Sequence, residues 1–284
     1  MTHLVAVISI VLYVASSMLM LIQLWRSKAG GRVSALARGI FLCALGAHTV
    51  TMALVLQDPR FVFLDNGADY FLWVSWALAV AFAFLERKLN YPLVGAFVVP
   101  GVVLFMGCSS YLLHQEGASV LSEAGATGGF SGLTLSLLHG VPALVSVVTM
   151  ALALVVSVVF LIVERRLKQR RVGVLSIIGP NLQFLDHLNS RLVQVGFVAI
   201  TLVVLSGGLW AVSERKPVFA LDTSVVSGLG LWVLLASILY TRLILRWSPK
   251  QVSRLTVLVT ASFFATLLLV LVVAGRLTHA ELWS

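Results

Sequence analysis

Residues 133–171 read LTLSLLHGVPALVSVVTMALALVVSVVFLIVERRLKQRR, a near-continuous apolar run that ends abruptly in a cluster of cations. An α-helix rises about 1.5 Å per residue and the hydrocarbon core of a bilayer is about 30 Å thick, so about 20 such residues make one crossing. The run is long enough, and its cationic end fixes it at one face. A β-barrel strand would instead alternate polar and apolar residues over a short segment. The stretch reads as a transmembrane helix.

The same pattern recurs along the chain. Working outward from 133–163, apolar runs occupy 91–113, 70–85, 36–56 and 4–24 on one side, and 192–212, 224–245 and 255–275 on the other. The third run in chain order is short, and Arg87 and Lys88 serve it as snorkelling ends. With 60% hydrophobic and 11% charged residues among 284 and a mean hydropathy of +1.02, the composition excludes a water-soluble globule. The expected architecture is all-α: a polytopic integral membrane protein of about eight transmembrane helices, forming a single transmembrane domain over 1–284.

Charge gives the map a sidedness. Sixteen of the twenty Lys and Arg residues fall in or beside the first, third, fifth and seventh loops. The positive-inside rule makes those loops cytoplasmic and places both termini outside. Eight of the eleven acids fall on the other side, so the net charge of +9 is a topology signal and nucleic acid is not an expected partner. The first helix has cations after it and none before it, the reverse of a cleaved signal peptide, and is expected to remain as an anchor. Cys43 and Cys108 both lie inside spans without a C-x-x-C pair, and each reads as a small buried apolar residue.

No Asp, Glu or Lys is expected at mid-depth, which argues against an ion-coupled carrier. Phosphate loops, G-x-S-x-G and HExxH are absent, and no nucleophile with its base is visible, so catalysis is not expected. Histidine remains. His48, His114, His139 and His279 fall in the outer half or near mid-bilayer, whereas His187 is cytoplasmic. His48 stands about 15 Å beyond Arg38 along its helix, where an imidazole either bonds a neighbouring helix or takes a ligand. His139 is expected at the outer interface, just before Pro142 in a first helical turn that tolerates proline. Imidazole is a common axial ligand to haem iron, and a flat apolar macrocycle with two propionates suits a membrane edge overlaid by cations. Arg215 and Lys216, in the loop SERKPVFALDT, are either such cations or ordinary solvated ones. Trp210 belongs to the aromatic belt, while Trp232 lies well inside its helix.

Three stretches carry a resemblance. SLLHGVPALVSVVTMALALVVSVVFLIVERRLKQR, then GPNLQFLDHLNSRLVQVGFVAITLVVLSGGLWA, then LDTSVVSGLGLWVLLASILYTRLILRW resemble the transmembrane domain of the cytochrome c assembly family, most strongly over 133–254. In detail they are similar to its small eight-helix branch, called HemX-like or YpjD-like. AHTV, with His48, resembles the histidine of that family's second helix. Asp222, Trp232, Tyr240 and Arg242 or Arg246 match residue types of its D-P-K…W…Y-x-x-x-x-R segment.

The resemblance implies a haem-binding or haem-handling, non-enzymatic protein of a bacterial plasma (inner) membrane, with other cytochrome-assembly membrane proteins as partners beside the lipid bilayer. It implies His139 as the outer axial ligand of haem iron, His48 as the membrane one, and His279 as a possible second outer ligand. Arg215, Lys216, Trp210, Asp222 and Trp232 would be the surrounding haem contacts. One departure stands out: the family's WGxxWxWD segment corresponds here to WAVSERKPVFALDT, in which only Trp210 and Asp222 match. That departure fits an alternative, a regulatory or accessory membrane subunit, for example of haem biosynthesis.

Overall fold

The computed structural model describes residues 2–25, 31–57, 67–89, 92–116, 130–169, 181–213 and 223–281. These residues form eight α-helices: α1 (Thr2–Trp25), α2 (Gly31–Leu56), α3 (Gly67–Leu89), α4 (Pro92–Glu116), α5 (Phe130–Lys168), α6 (Leu182–Ser213), α7 (Thr223–Leu243) and α8 (Pro249–Glu281). Seven contain spans long and apolar enough to cross a membrane; the described apolar part of α7, Gly228–Leu243, is shorter. The outward surface agrees. Val195, Val198, Leu202, Leu205 and Leu209 form an exposed stripe on α6, and Leu4, Val7, Val11 and Met18 another on α1. Apolar stripes of this extent are tolerated against lipid rather than water. The chain is a polytopic membrane protein.

Helix α5 organises the bundle. One set of its buried residues, including Val148, Leu152, Val156 and Val159, packs with α1–α4 around Tyr13, Phe41, Phe82 and Val99. Another, Met150 and Ala153, packs with α6, α7 and α8 around Ile200, Leu235 and Val259. It is the shared wall of two cores, which explains why its sequence is apolar on every side. At 39 residues it extends about 58 Å, well beyond the hydrocarbon.

Several helices run past their expected ends, α8 over Pro249–Glu281 instead of 255–275 among them, and two differences bear on the site. Helix α6 begins at Leu182, ten residues before the expected 192. Residues 182–191 carry Asp186, His187 and Arg191, which lower the local hydropathy, yet tertiary contacts hold them helical. Arg242 donates to both carboxylate oxygens of Asp186 at 2.9 and 2.8 Å, and Ser157 donates to Asn189 Oδ1 at 3.1 Å. Asn181 caps the helix, its Oδ1 accepting from the Gln183 N–H at 2.9 Å. The second difference is Pro142, which lies inside α5 rather than in its first turn. It cannot donate to the carbonyl one turn back, that of Leu138, immediately before His139. Of the cysteines, Cys108 is buried as expected, but Cys43 is exposed on the outward face of α2.

The three acids at the cation-rich end are all engaged. Arg38 meets Glu86 at 3.2 Å, Asp186 takes Arg242, and Glu164 takes Lys168 at 2.7 Å and Lys250 at 3.2 Å. These pairs tie α2 to α3, α6 to α7 and α5 to α8. The α7–α8 turn places Arg246 in the left-handed region (φ 51°), and Gln251 then caps the start of α8. Gln251 Oε1 accepts from the Ser248 N–H at 3.0 Å, and Pro249 follows the cap.

Candidate functional site

The expected site residues fall into separate places. His48, on α2, is fully buried. Its Nδ1 lies 3.4 Å from the Tyr13 hydroxyl of α1 and its Nε2 3.5 Å from Ser75 Oγ of α3. The tautomer follows from Ser75, whose one hydroxyl proton goes to the Leu72 carbonyl at 2.8 Å. Toward His48 that oxygen therefore accepts, so Nε2 carries the proton and Nδ1 accepts from Tyr13. Both nitrogens are occupied, and the neutral ring joins three helices.

His139, on α5, is only partly buried and faces α6. Its Nδ1 lies 3.2 Å from Ser206 Oγ. Ser206 donates its own proton to the Val203 carbonyl at 3.1 Å, so toward His139 its oxygen accepts. Nδ1 is then the protonated nitrogen. A ligating histidine whose other N–H is held by a hydroxyl or carbonyl is the usual outer-shell arrangement. Gly207 permits the approach: a Cβ there would meet the ring at 3.4 Å.

One helical stage inward, an apolar groove of about 460 Å³ runs between α5 and α6, lined by Val141, Pro142, Val145, Val198 and Leu202 among others, with Gln194 its polar member. Pro142 of this groove lies one turn along α5 from His139.

The structure does not bring His48 and His139 together. Tyr70 of α3 donates to the Ala143 carbonyl at 3.3 Å, whereas Ser75, further along the same helix, meets His48. By helical rise the two histidines differ by about 13 Å in height. His279 is closer in height to His139. The Glu164–Lys250 pair sets α5 and α8 level at one end; from it His139 lies about 38 Å along α5 and His279 about 43 Å along α8. Trp232 is used in packing: its Nε1 donates to Thr201 Oγ1 at 3.0 Å and its ring lies 5.7 Å from Phe197. Arg215, Lys216 and Asp222 lie outside the described residues, as do the side chains of Trp210, His279 and His114. Among the described residues, no three His, Cys, Asp or Glu side chains group to hold a metal ion.

Sequence reasoning missed Ser206, Tyr13 and Ser75. Each is a small hydroxyl or an aromatic in an apolar helix, with its partner imidazole 67, 35 or 27 positions away, and nothing local marks it.

The family described as cytochrome C assembly protein matches residues 66–277, from just before α3 nearly to the end of α8. The chain belongs to that family. The cytochrome c assembly match contains His139, Ser206, Trp232 and residues 214–222, and leaves His48 and Tyr13 outside it. Among curated relatives, the cytochrome c biogenesis protein CcsA of Prochlorococcus marinus (strain NATL1A) is 26% identical over 272 residues, covering 86% of this chain and 82% of that protein. The CcsA of Porphyra purpurea is 23% identical over 268 residues, covering 80% and 82%, and that of Guillardia theta 21% over 232 residues, covering 75% of each. No solved structure matches this chain.

Proposed function

We propose that this cytochrome c assembly family member is a haem-handling protein, a single transmembrane domain over 1–284 with both termini on the outer face of a bacterial plasma (inner) membrane, and that it belongs to the HemX-like or YpjD-like branch. The observation that carries the haem reading is the His139–Ser206 contact, which holds an imidazole on α5 one turn from Pro142 of the apolar groove. The donor set suits the group: imidazole nitrogen ligates haem iron, and apolar walls suit the macrocycle. Haem, when bound, would supply an iron centre that takes the imidazole lone pair.

The chain's own work is to hold that imidazole in one tautomer and to offer apolar surface beside it. His279, closer in height, is the favoured second ligand. His48 serves only if it releases Tyr13 or Ser75. Arg215 and Lys216 would neutralise propionates, with Trp210, Asp222 and Trp232 around the macrocycle, and other cytochrome-assembly membrane proteins would receive or deliver the haem.

The test is to purify the full chain in detergent and record its visible spectrum before and after adding haem. A Soret band that survives washing is expected. Its absence at every stage would overturn the reading and leave the regulatory or accessory alternative, which the sparse tryptophans of WAVSERKPVFALDT favour.

A further inference from the structure

A second cavity, of about 390 Å³, opens at the opposite end of the bundle between α3, α5 and α6. Its walls include Phe84, Leu152, Phe184 and Leu188, and its polar lining is His187 and Arg191. Arg87 stands outside the wall, its guanidinium 6.0 Å from the centre of the ring of Phe84, which lines it. Phe84 and Phe184 are exposed on the outward surface, so the cavity opens toward lipid, near the level where Glu86 and Asp186 make their ion pairs.

The charge balance there is incomplete. Glu86, Glu164 and Asp186 are committed to Arg38, Lys168, Lys250 and Arg242. Among the described residues, no carboxylate pairs with Arg87, His187 or Arg191. Two guanidinium groups and an imidazole beside an apolar, lipid-facing recess at the edge of the hydrocarbon match one chemistry: an anionic headgroup with acyl chains attached. A free anion would leave the phenylalanines and leucines unused, and a zwitterionic lipid would leave the positive charge unmatched.

We infer that this recess is a binding site for one anionic phospholipid, its phosphate held by Arg191, His187 and Arg87 and its acyl chains lying against Phe84, Leu152 and Phe184. It is separate from the His139 groove and does not depend on haem being bound. Seated there, the lipid would bridge α3 and α6, which belong mainly to different cores.

The test is native mass spectrometry of the full chain released from nanodiscs of equimolar phosphatidylglycerol and phosphatidylcholine. The unaltered protein should retain phosphatidylglycerol preferentially, and each of Arg191→Ala and Arg87→Ala should weaken that preference by about fivefold, in line with the worth of one basic residue at an anionic surface. Arg254→Ala, an exposed cation that does not line the recess, should leave the preference intact. Equal retention of the two lipids by the unaltered protein would overturn the site. So would an equal loss in Arg254→Ala, which would mean attraction by the whole basic face.

Discussion

Ser206 Oγ lies 3.2 Å from His139 Nδ1 and gives its own proton to the Val203 carbonyl, so a serine on α6 dictates which nitrogen of a histidine on α5 is protonated. Ser206→Ala removes one of the groups holding that tautomer while leaving the imidazole in place. Outer-shell losses of this kind typically weaken metal affinity by about 10–100-fold. Haem titration of the detergent-purified variant should show that weakening with the helical content unchanged; an unchanged affinity would remove Ser206 from the account.

His48 is a different case, because both its nitrogens are engaged by neighbouring helices. His48→Phe keeps the ring volume but strands the Tyr13 hydroxyl, at a cost of about 1–3 kcal/mol. Thermal unfolding should reveal the loss. Adding Tyr13→Phe should recover part of it, since the stranded group is then gone. Full stability in His48→Phe would mean that the three-helix junction contributes nothing.

Helix α5 meets α6 closely at Gly196, where a Cβ would come within 2.9 Å of Thr149 Oγ1. Gly196→Ala should therefore destabilise by about 1–3 kcal/mol through overpacking. Thr149→Ala removes the obstructing oxygen, and the double variant should be more stable than Gly196→Ala alone. Additive losses in the melting temperature would contradict the packing described.

The sidedness of the bundle is checked with topology reporters fused at Gly125 and Lys168. One should report the outer compartment and the other the cytoplasm. Equal signals would refute the map drawn from charge.

Much of the architecture was legible in the sequence because lipid solvation leaves its mark on every residue of a span: each crossing needs its apolar length, and the cations collect at one end. What was not legible depends on partners far along the chain. The first turns of α6 look polar in isolation, and only the Asp186–Arg242 and Asn189–Ser157 contacts explain why they are helical. His48 admitted two roles until Tyr13 and Ser75 appeared beside it. His139 is marked in the sequence by its type and place, but its contact with Ser206 is not, because no local pattern distinguishes Ser206 from any other hydroxyl in an apolar helix. Pro142 falls in a first turn only if hydrocarbon thickness ends α5, whereas the helix runs on to Phe130.

The central claim is tested most directly by the Soret spectrum of His139→Ala, purified beside the unaltered chain and His48→Gln after haem has been supplied to all three. The band should be lost or strongly diminished in His139→Ala, return on adding free imidazole, and persist in His48→Gln. An undiminished, unshifted band in His139→Ala would contradict the account.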